Sequence, residues 1–367
     1  MFLNNPFPGA FGLDIGDLSI KLMQMNRHHP IGRPPFFTVE TARAAALPPG
    51  AIVNGEIQLP EIVRKKILHL LGADNNFPRL KSPWVVANLP EPKTFLKLIE
   101  IETPAEELTD DEVIYQAAKH LPFGEDEAYL DWQVIPSAEA TDKTTSALIA
   151  AAPKTTADSY TRLLEEAGLN PIALEVEAAA IARALITAAK DYGGMARAIL
   201  DLGGTRSGLI IYDKNTIQFS TSINFSGELV TTALAQGLGI DHATAEKLKI
   251  SAGARVNKDY PKYLKIIDEL IDRLVGEIKQ ALKFYREHFA GANPITHITM
   301  CGGSSRLENL GAILSHALRI SAHPGNVWKN VSAAAPPSAK QTADGLELAA
   351  VIGLALRAAQ NPLRHSL

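Results

Sequence analysis

The hydrophobic and polar positions along this chain repeat one design at two distant places. Phe11 to Met23 reads as an apolar strand, a short polar turn and a second apolar strand. Ala198 to Tyr212 has the same layout. In both segments an aspartate, Asp14 or Asp201, stands two residues before a glycine at the end of the first apolar run. The pattern predicts two β-hairpins, each continued by a further strand.

Single Asp-x-Gly turns occur in many proteins, so one hairpin alone says little. Two of them in matching contexts favour a chain built from two related lobes. Stretches with helical periodicity or many small residues follow each hairpin. The predicted helices are 60–71, 175–190, 268–289 and 346–359, and the Ala-, Pro- and Ser-rich stretch 332–345 is predicted to be a surface loop.

A further unit at 83–171 interrupts the first lobe. Its pattern predicts the order β-β-α-β-β-α. The predicted strands are 84–89, 95–101, 129–135 and 145–151, and the predicted helices are 106–120 and 155–167. We therefore expect an α/β fold of two lobes, the first of which carries an inserted subdomain.

Composition places the chain among ordinary globular proteins and removes several classes of function. Of its 367 residues, 46% are hydrophobic and 21% are charged, and the formal net charge is −4. No general attraction to nucleic acid is expected at this charge. Cys301 is the single cysteine, which excludes an intramolecular disulfide and fits a reducing compartment. The N-terminus lacks the basic and apolar regions of a signal peptide, and no apolar run reaches the roughly 18 residues of a membrane span, so we expect a cytoplasmic protein.

The two hairpin turns carry the residue types that bind phosphate and magnesium. Glycine in a tight turn lets backbone N–H groups approach an anion without a β-carbon in the way. An aspartate at the end of each strand can hold a hydrated magnesium ion, largely through its waters. Lys21, on the strand that leaves the first turn, can reach a phosphate. The alternative is that these are two ordinary hairpins with solvated side chains. This alternative explains one hairpin alone better than it explains two matching hairpins.

A third segment, Ile298 to Leu307, reads as a strand, a Gly302-Gly303 turn and the start of a helix. Two adjacent glycines permit close backbone approach, and Ser304 or Ser305 can cap the helix. A flat adenine or a ribose can rest on such a turn, although an ordinary capped strand-to-helix connection has the same pattern. Neither a Walker A sequence nor GxGxxG occurs, so the P-loop and Rossmann classes have no motif support.

Together, the two hairpins, the Gly-Gly turn and two small-residue helices resemble the signature of the actin, chaperone and sugar-kinase ATPase superfamily. Phe11 to Lys21 and Leu200 to Ser207 resemble its two phosphate motifs, and Met300 to Leu307 resembles its adenosine motif. Glu175 to Ala184 and Ala349 to Leu356 resemble its two connecting helices. The resemblance implies an actin-like (ribonuclease H-like) two-lobed ATPase fold that binds ATP and Mg2+ between the lobes.

Within that superfamily the chain is similar to the PilM family of type IV pilus assembly over nearly its whole length. The similar segments are FGLDIGDLSIKLMQM, IVNGEIQLPEIV, YQAAKHLPF, EDEAYLDWQVI, ILDLGG, AEKLKI, EIKQALKFYREHF, ITMCGGSSRLENL and AAVIGLALR. The unit at 83–171 resembles the 1C subdomain that PilM shares with the division protein FtsA. The implied division is 1–82 and 172–195 for lobe 1 (1A), 83–171 for 1C, 196–240 and 296–367 for lobe 2 (2A), and 241–295 for a small 2B subdomain.

The resemblance also implies roles for individual residues. It places Asp14, Asp201 and Glu175 at the catalytic centre, with Asp14 and Asp201 on the metal ion. The implied nucleotide-binding residues are Gly16, Asp17, Ser19, Lys21, Gly203, Gly204, Thr205, Glu246, Lys249, Gly302, Gly303, Ser304 and Arg306.

Two positions depart from the family pattern. Asp17 stands where family members often have a small hydroxyl residue, and its charge would repel a terminal phosphate unless magnesium lies between them. Gly204 stands where actin has an aspartate that positions the attacking water, which affects hydrolysis more than nucleotide binding. Glu175 and Glu177 are the nearest candidates to orient water, although one of them can simply begin a helix.

The implied function is a nucleotide-gated clamp in type IV pilus assembly and twitching motility. Its partner would be the cytoplasmic tail of the inner-membrane protein PilN, docked near the junction of lobe 1 and the 1C unit, besides other proteins of the assembly platform. The protein would then be cytoplasmic and peripheral to the inner membrane. Three alternatives stay open: an FtsA-like division protein, which would need a membrane helix after the last predicted helix; a small-molecule kinase of the same superfamily; and a scaffold that binds nucleotide without hydrolysing it.

Overall fold

The described part of the chain forms two compact units in a computed structural model of the protein. It comprises residues 5–30, 32, 34–136, 143–187, 190, 192–254, 261–331, 345–360 and 362. The first unit contains the described residues of Met1–Lys190, Thr216–Ser220 and Val327–Leu367, and the second contains those of Asp191–Asn215 and Thr221–Asn326. Most of the predicted surface loop, 332–344, lies outside the described residues.

The chain contains both strands and helices throughout its length, as the predicted α/β class requires. The strands are β1 (Phe11–Ile15), β2 (Ser19–His28), β3 (Phe36–Ala46), β4 (Ile52–Val53), β5 (Glu56–Ile57), β6 (Trp84–Leu89), β7 (Phe95–Ile101), β8 (Ala128–Ile135), β9 (Thr145–Pro153), β10 (Asn170–Val176), β11 (Ala196–Leu202), β12 (Ser207–Asp213), β13 (Thr216–Ile223), β14 (Ile295–Cys301) and β15 (Ser321–Pro324). The α-helices are α1 (Pro60–Leu70), α2 (Asp110–Ala118), α3 (Lys154–Glu166), α4 (Glu177–Leu185), α5 (Gly227–Leu238), α6 (His242–Ala252), α7 (Pro261–His288), α8 (Leu310–Leu318) and α9 (Ala349–Ala359).

The first unit is built around a five-stranded sheet in the order β10-β6-β1-β2-β3. The strand β1 runs antiparallel to β2 and parallel to β6. All five residues of β1 are buried, because side chains of α1 and α3 pack on one face of the sheet and those of α4 and α9 on the other. A strand covered on both faces reads as a continuous apolar run rather than an alternating one.

The inserted strands β7, β9 and β8 are neighbours and antiparallel, and α2 packs on them through Val113 and Ala117. Phe219 of β13 pairs with Lys97 of β7 in the same unit. The insertion is expected over 83–171, and the contacts of its first strand and of its last helix reach outside that range. Its first predicted strand, β6, pairs with β1 and β10, and the buried face of α3 joins the core beneath β1, because partners distant in the chain decide where these two elements pack.

The second unit contains four neighbouring strands in the order β15-β14-β11-β12. The strand β11 runs antiparallel to β12 and parallel to β14, so Asp201 stands opposite Cys301 at the ends of β11 and β14. The helix α7 has 28 residues and one continuous buried face, as the predicted amphipathic pattern requires. It starts at Pro261, earlier than predicted.

One further prediction about an element needs correction. The helix predicted over 175–190 begins at Glu177 and ends at Leu185, where Asn330 donates its side-chain N–H groups to the carbonyl oxygens of Arg183 and Ile186. Glu175 is therefore a strand residue of β10. The helix α9 lies in the first unit, because its small residues pack against β1 and α4. The division that places 296–367 in lobe 2 stays a prediction.

Within the described part of the chain, none of the helices combines the length and the apolar composition that crossing a bilayer requires.

Candidate functional site

The first predicted phosphate turn is held by an ion pair between its two strands. Asp14 and Lys21 stand opposite each other in the β1–β2 register, and the Nζ of Lys21 lies 2.8 Å from Oδ2 of Asp14. Asp14 is buried, and only 16% of the Lys21 side chain is exposed. The structure therefore brings the predicted metal ligand and the predicted phosphate-binding lysine together.

The turn itself closes on backbone contacts. The N–H of Gly16 donates to the carbonyl oxygen of Ser19 at 3.0 Å. The carboxylate of Asp17 is directed elsewhere, because its Oδ1 accepts a hydrogen bond from the N–H of Gly55 at 3.2 Å. Asp17 is buried at 5% exposure. This contact is at odds with a simple role for Asp17 in binding phosphate.

Asn88, near the end of β6, contacts the first turn. The sequence did not identify it as a site residue. Its Oδ1 accepts a hydrogen bond from the N–H of Ile15 at 2.8 Å, which extends the β1–β6 ladder by one side-chain contact. Asn88 is fully buried, and within the described chain its Nδ2 has no hydrogen-bond partner. The available signal was an amide residue inside an otherwise apolar strand, where burial requires a partner.

The second predicted phosphate turn lies against the Gly-Gly turn. The N–H of Gly203 donates to the carbonyl oxygen of Arg206 at 2.9 Å and closes the β11–β12 hairpin. The hydroxyl of Ser304 donates to the carbonyl oxygen of Gly203 at 2.8 Å. The thiol of Cys301 donates to Oδ1 of Asp201 at 3.4 Å. Four predicted site residues, Asp201, Gly203, Gly302 and Ser304, are thus neighbours within the second unit.

Gly302 must be a glycine for two independent reasons. Its φ of +81° lies in the region that side chains disfavour, and an added β-carbon would lie 2.4 Å from the carbonyl oxygen of Leu202. Gly303 has nothing within 4 Å of its β-carbon position and is exposed. The backbone at this turn is therefore both fixed and open on one side, as a flat ligand requires.

The start of α5 also contacts the second turn. The N–H groups of Gly227 and Glu228 donate to the carbonyl oxygens of Gly203 and Gly204 at 3.1 and 2.8 Å. Lys249 of α6 donates to the carbonyl oxygen of Gly227 at 3.1 Å and to Oε2 of Glu246 at 2.7 Å.

These contacts place the two α6 residues, Glu246 and Lys249, beside the turn. Burial raises the pKa of Glu246, but hydrogen bonds from Lys249 and Thr231 and the charge of Lys249 outweigh it and lower the pKa. Thr205 lies in the β11–β12 turn, and Arg306 is exposed at the end of a short 3-10 helix, Gly303–Arg306. The nucleotide-binding roles of these two residues stay predictions.

Glu175 is bound by two arginines, which argues against its predicted role in orienting water. Its Oε1 lies 2.6 Å from an Nη of Arg183 and 3.1 Å from an Nη of Arg357. Burial raises the pKa of this carboxyl, but the two guanidinium groups outweigh burial and hold the pKa below its usual value. Because the carboxylate of Glu175 already accepts these contacts, Glu177, the first residue of α4, stays the candidate for orienting water.

A cavity of about 490 Å3 opens beside this ion-pair cluster in the first unit. Its lining is mainly apolar and comes from the inserted strands, α3, β10 and α4. The exposed residues among the lining are Tyr129, Asp131 and Asp158. Arg183 and Arg357 lie at the buried side with Glu175. The cavity can accept an extended apolar segment with polar groups at both ends.

The residues of each hairpin fit a magnesium nucleotide. Asp14 and Asp201 offer carboxylate oxygens, the ligand type that Mg2+ prefers. Lys21 supplies a cation beside Asp14, and the open backbone at Gly303 leaves room for a flat group. That Asp14 and Asp201 share one nucleotide stays a prediction.

The predicted actin-like α/β fold is confirmed by comparison with solved structures. A structure described as a PilM-PilN type IV pilus biogenesis complex matches 97% of this chain and 100% of that chain, with 24% identity and a TM-score of 0.80. The ethanolamine utilization protein EutJ of Carboxydothermus hydrogenoformans matches 96% of this chain and 92% of its own, with 14% identity and a TM-score of 0.54. MreB5 of Spiroplasma citri, bound to AMPPNP, matches 95% of each chain, with 11% identity and a TM-score of 0.53.

The family model described as type IV pilus assembly protein PilM matches residues 12–359. This range includes both Asp-x-Gly turns, the inserted strands and the Gly-Gly turn. It favours the pilus assembly interpretation over the FtsA-like and kinase alternatives. The chain belongs to the PilM family of type IV pilus assembly proteins.

Proposed function

We propose that this protein binds ATP with Mg2+ and serves type IV pilus assembly by docking the cytoplasmic tail of a PilN-like inner-membrane protein. The observation that carries the nucleotide part is the cluster of Asp201, Gly203, Gly302 and Lys249 in the second unit. MreB5, which has the same fold, binds AMPPNP. A cytoplasmic location follows from this proposal, since both the nucleotide and the tail are found there.

In this proposal each hairpin contributes part of the nucleotide site. Asp14 and Asp201 would hold the magnesium ion, whose charge offsets that of the phosphates when it is bound. Lys21 would exchange its contact with Asp14 for a phosphate oxygen. Gly302 and Gly303 would lie against the adenosine, and Lys249 and Glu246 would contact it from α6.

The docking part of the proposal rests on the cavity of the first unit. Its apolar lining suits a short extended peptide, and its exposed carboxylates at Asp131 and Asp158 suit a basic residue at one end of that peptide. The similar solved structure is a complex of PilM with PilN. Occupation of the cavity would tether this protein to the membrane through its partner.

Thermal unfolding with and without Mg-ATP tests the nucleotide part. At a nucleotide concentration 100 times Kd, binding should stabilise the protein by about 2.7 kcal/mol. Asp201→Ala should lose most of this shift, whereas Asp268→Ala, which removes an exposed carboxylate of α7, should keep it. If millimolar Mg-ATP does not change the melting temperature of the unmodified protein, the proposal is wrong.

Hydrolysis is a separate question, because Gly204 replaces a carboxylate that positions water in actin. Phosphate release, measured with and without a PilN-tail peptide, distinguishes a slow ATPase from a nucleotide-binding scaffold. Glu177→Gln is the informative variant, since it should abolish any release while leaving the Mg-ATP thermal shift intact.

A further inference from the structure

In the first predicted phosphate turn, the side chain of Asp17 contacts a part of the chain that the sequence did not predict as its neighbour. It is buried at 5% exposure, and its Oδ1 accepts a hydrogen bond from the N–H of Gly55 at 3.2 Å. Gly55 belongs to the tight connection between β4 and β5. The carboxylate therefore joins the phosphate turn to a second hairpin that is distant in the sequence.

The position of the Gly55 N–H is fixed by its surroundings. Asn54 and Gly55 both have positive φ, +50° and +77°, as a two-residue Asn-Gly hairpin requires. A β-carbon on Gly55 would lie 2.4 Å from the Cβ of Pro90. The backbone passes so close to Pro90 that it has little freedom to move, and Asp17 meets a donor that is held in place.

Gly55 is also held from its other side. The hydroxyl of Tyr160 donates to the carbonyl oxygen of Gly55 at 3.0 Å, and Tyr160 is fully buried. Tyr160 lies on α3, the helix whose residues Asp158 and Thr161 line the cavity. A continuous set of contacts thus runs from α3 through Gly55 to Asp17 in the phosphate turn.

We propose that Asp17 is a positioning residue that fixes the β1–β2 turn through Gly55, and that it is neither a phosphate ligand nor a metal ligand. This inference rests on the proposed nucleotide binding. Nucleotide binding then needs a carboxylate oxygen of Asp17 as a hydrogen-bond acceptor, but it does not need the negative charge of Asp17. By accepting the hydrogen bond from Gly55, Asp17 fixes the β1–β2 turn and keeps the N–H groups of that turn directed at the nucleotide. The negative charge of Asp17 would only repel the phosphates.

Asp17→Asn and Asp17→Ala separate these two roles, because the amide oxygen of asparagine can still accept from Gly55 while the charge is lost. We expect Asp17→Asn to bind Mg-ATP within about twofold of the unmodified protein or more tightly, and Asp17→Ala to bind at least about fivefold more weakly, as measured by titration calorimetry. Without nucleotide, the amide of Gly55 should exchange with solvent at least about tenfold faster in Asp17→Ala than in Asp17→Asn.

A matched control is Asp213→Ala, which removes another buried carboxylate that holds a turn, through contacts with Tyr285 and Asn293. It should lower the melting temperature without weakening Mg-ATP binding. Tyr160→Phe removes the donor on the far side of Gly55 and should weaken binding in the same direction as Asp17→Ala, but less.

Equal loss of affinity in Asp17→Asn and Asp17→Ala would overturn the inference, because it would show that the charge matters. Unchanged affinity or unchanged Gly55 exchange in Asp17→Ala would overturn it as well. If the unmodified protein binds no nucleotide, the proposed function fails, and the Gly55 exchange rates alone then decide whether Asp17 fixes the turn.

Discussion

Gly353 of α9 crosses Ala180 of α4 so closely that a β-carbon on Gly353 would lie 1.8 Å from the carbonyl oxygen of Ala180. On another side of α9, a β-carbon on Gly12 of β1 would lie 2.5 Å from the backbone nitrogen of Ala355. The helix is therefore confined between α4 and the strand that carries Asp14. This packing explains the small residues that both helices share.

Gly353→Ala should destabilise the first unit, because the methyl group can be accommodated only if α4 and α9 separate. Such overpacking costs about 3 kcal/mol when the neighbour is backbone rather than a flexible side chain. Urea unfolding monitored by circular dichroism measures the change in the free energy of unfolding. Gly276→Ala is the matched control, because a β-carbon there meets nothing within 4 Å, and it should stabilise α7 by roughly 0.5–1 kcal/mol. Equal effects of the two substitutions would contradict the described crossing.

Glu175→Gln should destabilise the protein strongly, since it leaves Arg183 and Arg357 without the carboxylate that both contact. Removing one member of a buried ion-pair cluster costs about 3–5 kcal/mol. The exposed pair of Glu61 with Arg64 is the control, and Glu61→Gln should leave the unfolding free energy unchanged. A small effect of Glu175→Gln would show that the cluster is more hydrated than the structure indicates.

The same carboxyl predicts how stability depends on pH. The pKa of Glu175 is lower in the folded protein than its usual value of 4.5, so the unfolded chain binds its proton first as the pH falls. The stabilisation from Glu175 should be complete above pH ~5 and should be lost as the pH falls through the lower folded pKa. Unfolding free energies of the unmodified protein and of Glu175→Gln, measured from pH 7 to pH 3, should therefore converge at the acid end. A constant difference over this range would contradict the lowered pKa.

Thr161→Trp should block the proposed docking of a PilN-tail peptide, because Thr161 lines the cavity and an indole ring there would occupy part of its 490 Å3. We expect at least about a tenfold loss of peptide affinity, equivalent to about 1.4 kcal/mol, measured by fluorescence anisotropy. Thr155→Trp on the same helix is exposed and outside the lining, and it should bind the peptide normally. Undiminished binding by Thr161→Trp would place the peptide elsewhere.

Local sequence patterns predicted most of the secondary structure and several candidate residues of the site. The two Asp-x-Gly hairpins form where the apolar runs and turns indicated, because strand pairing across a short turn depends on neighbouring residues. The contacts around Gly302 also follow from a local requirement, since only glycine fits its backbone. Asn54-Gly55, between β4 and β5, is a strong hairpin signal of the same local kind.

Only the tertiary structure decided which distant segments meet. The pattern of Trp84–Leu89 shows a buried strand but not its partners, and β6 proved to pair with β1 rather than with β7. An acidic residue is equally compatible with catalysis, metal binding and an ion pair, and the two arginines around Glu175 come from α4 and α9. The sequence by itself thus determined the fold class, the family resemblance and the local turns, which depend on residues near in the chain. The roles of Asp17, Asn88 and Glu175 depend on hydrogen-bond and charge partners that only folding brings within about 3 Å of them.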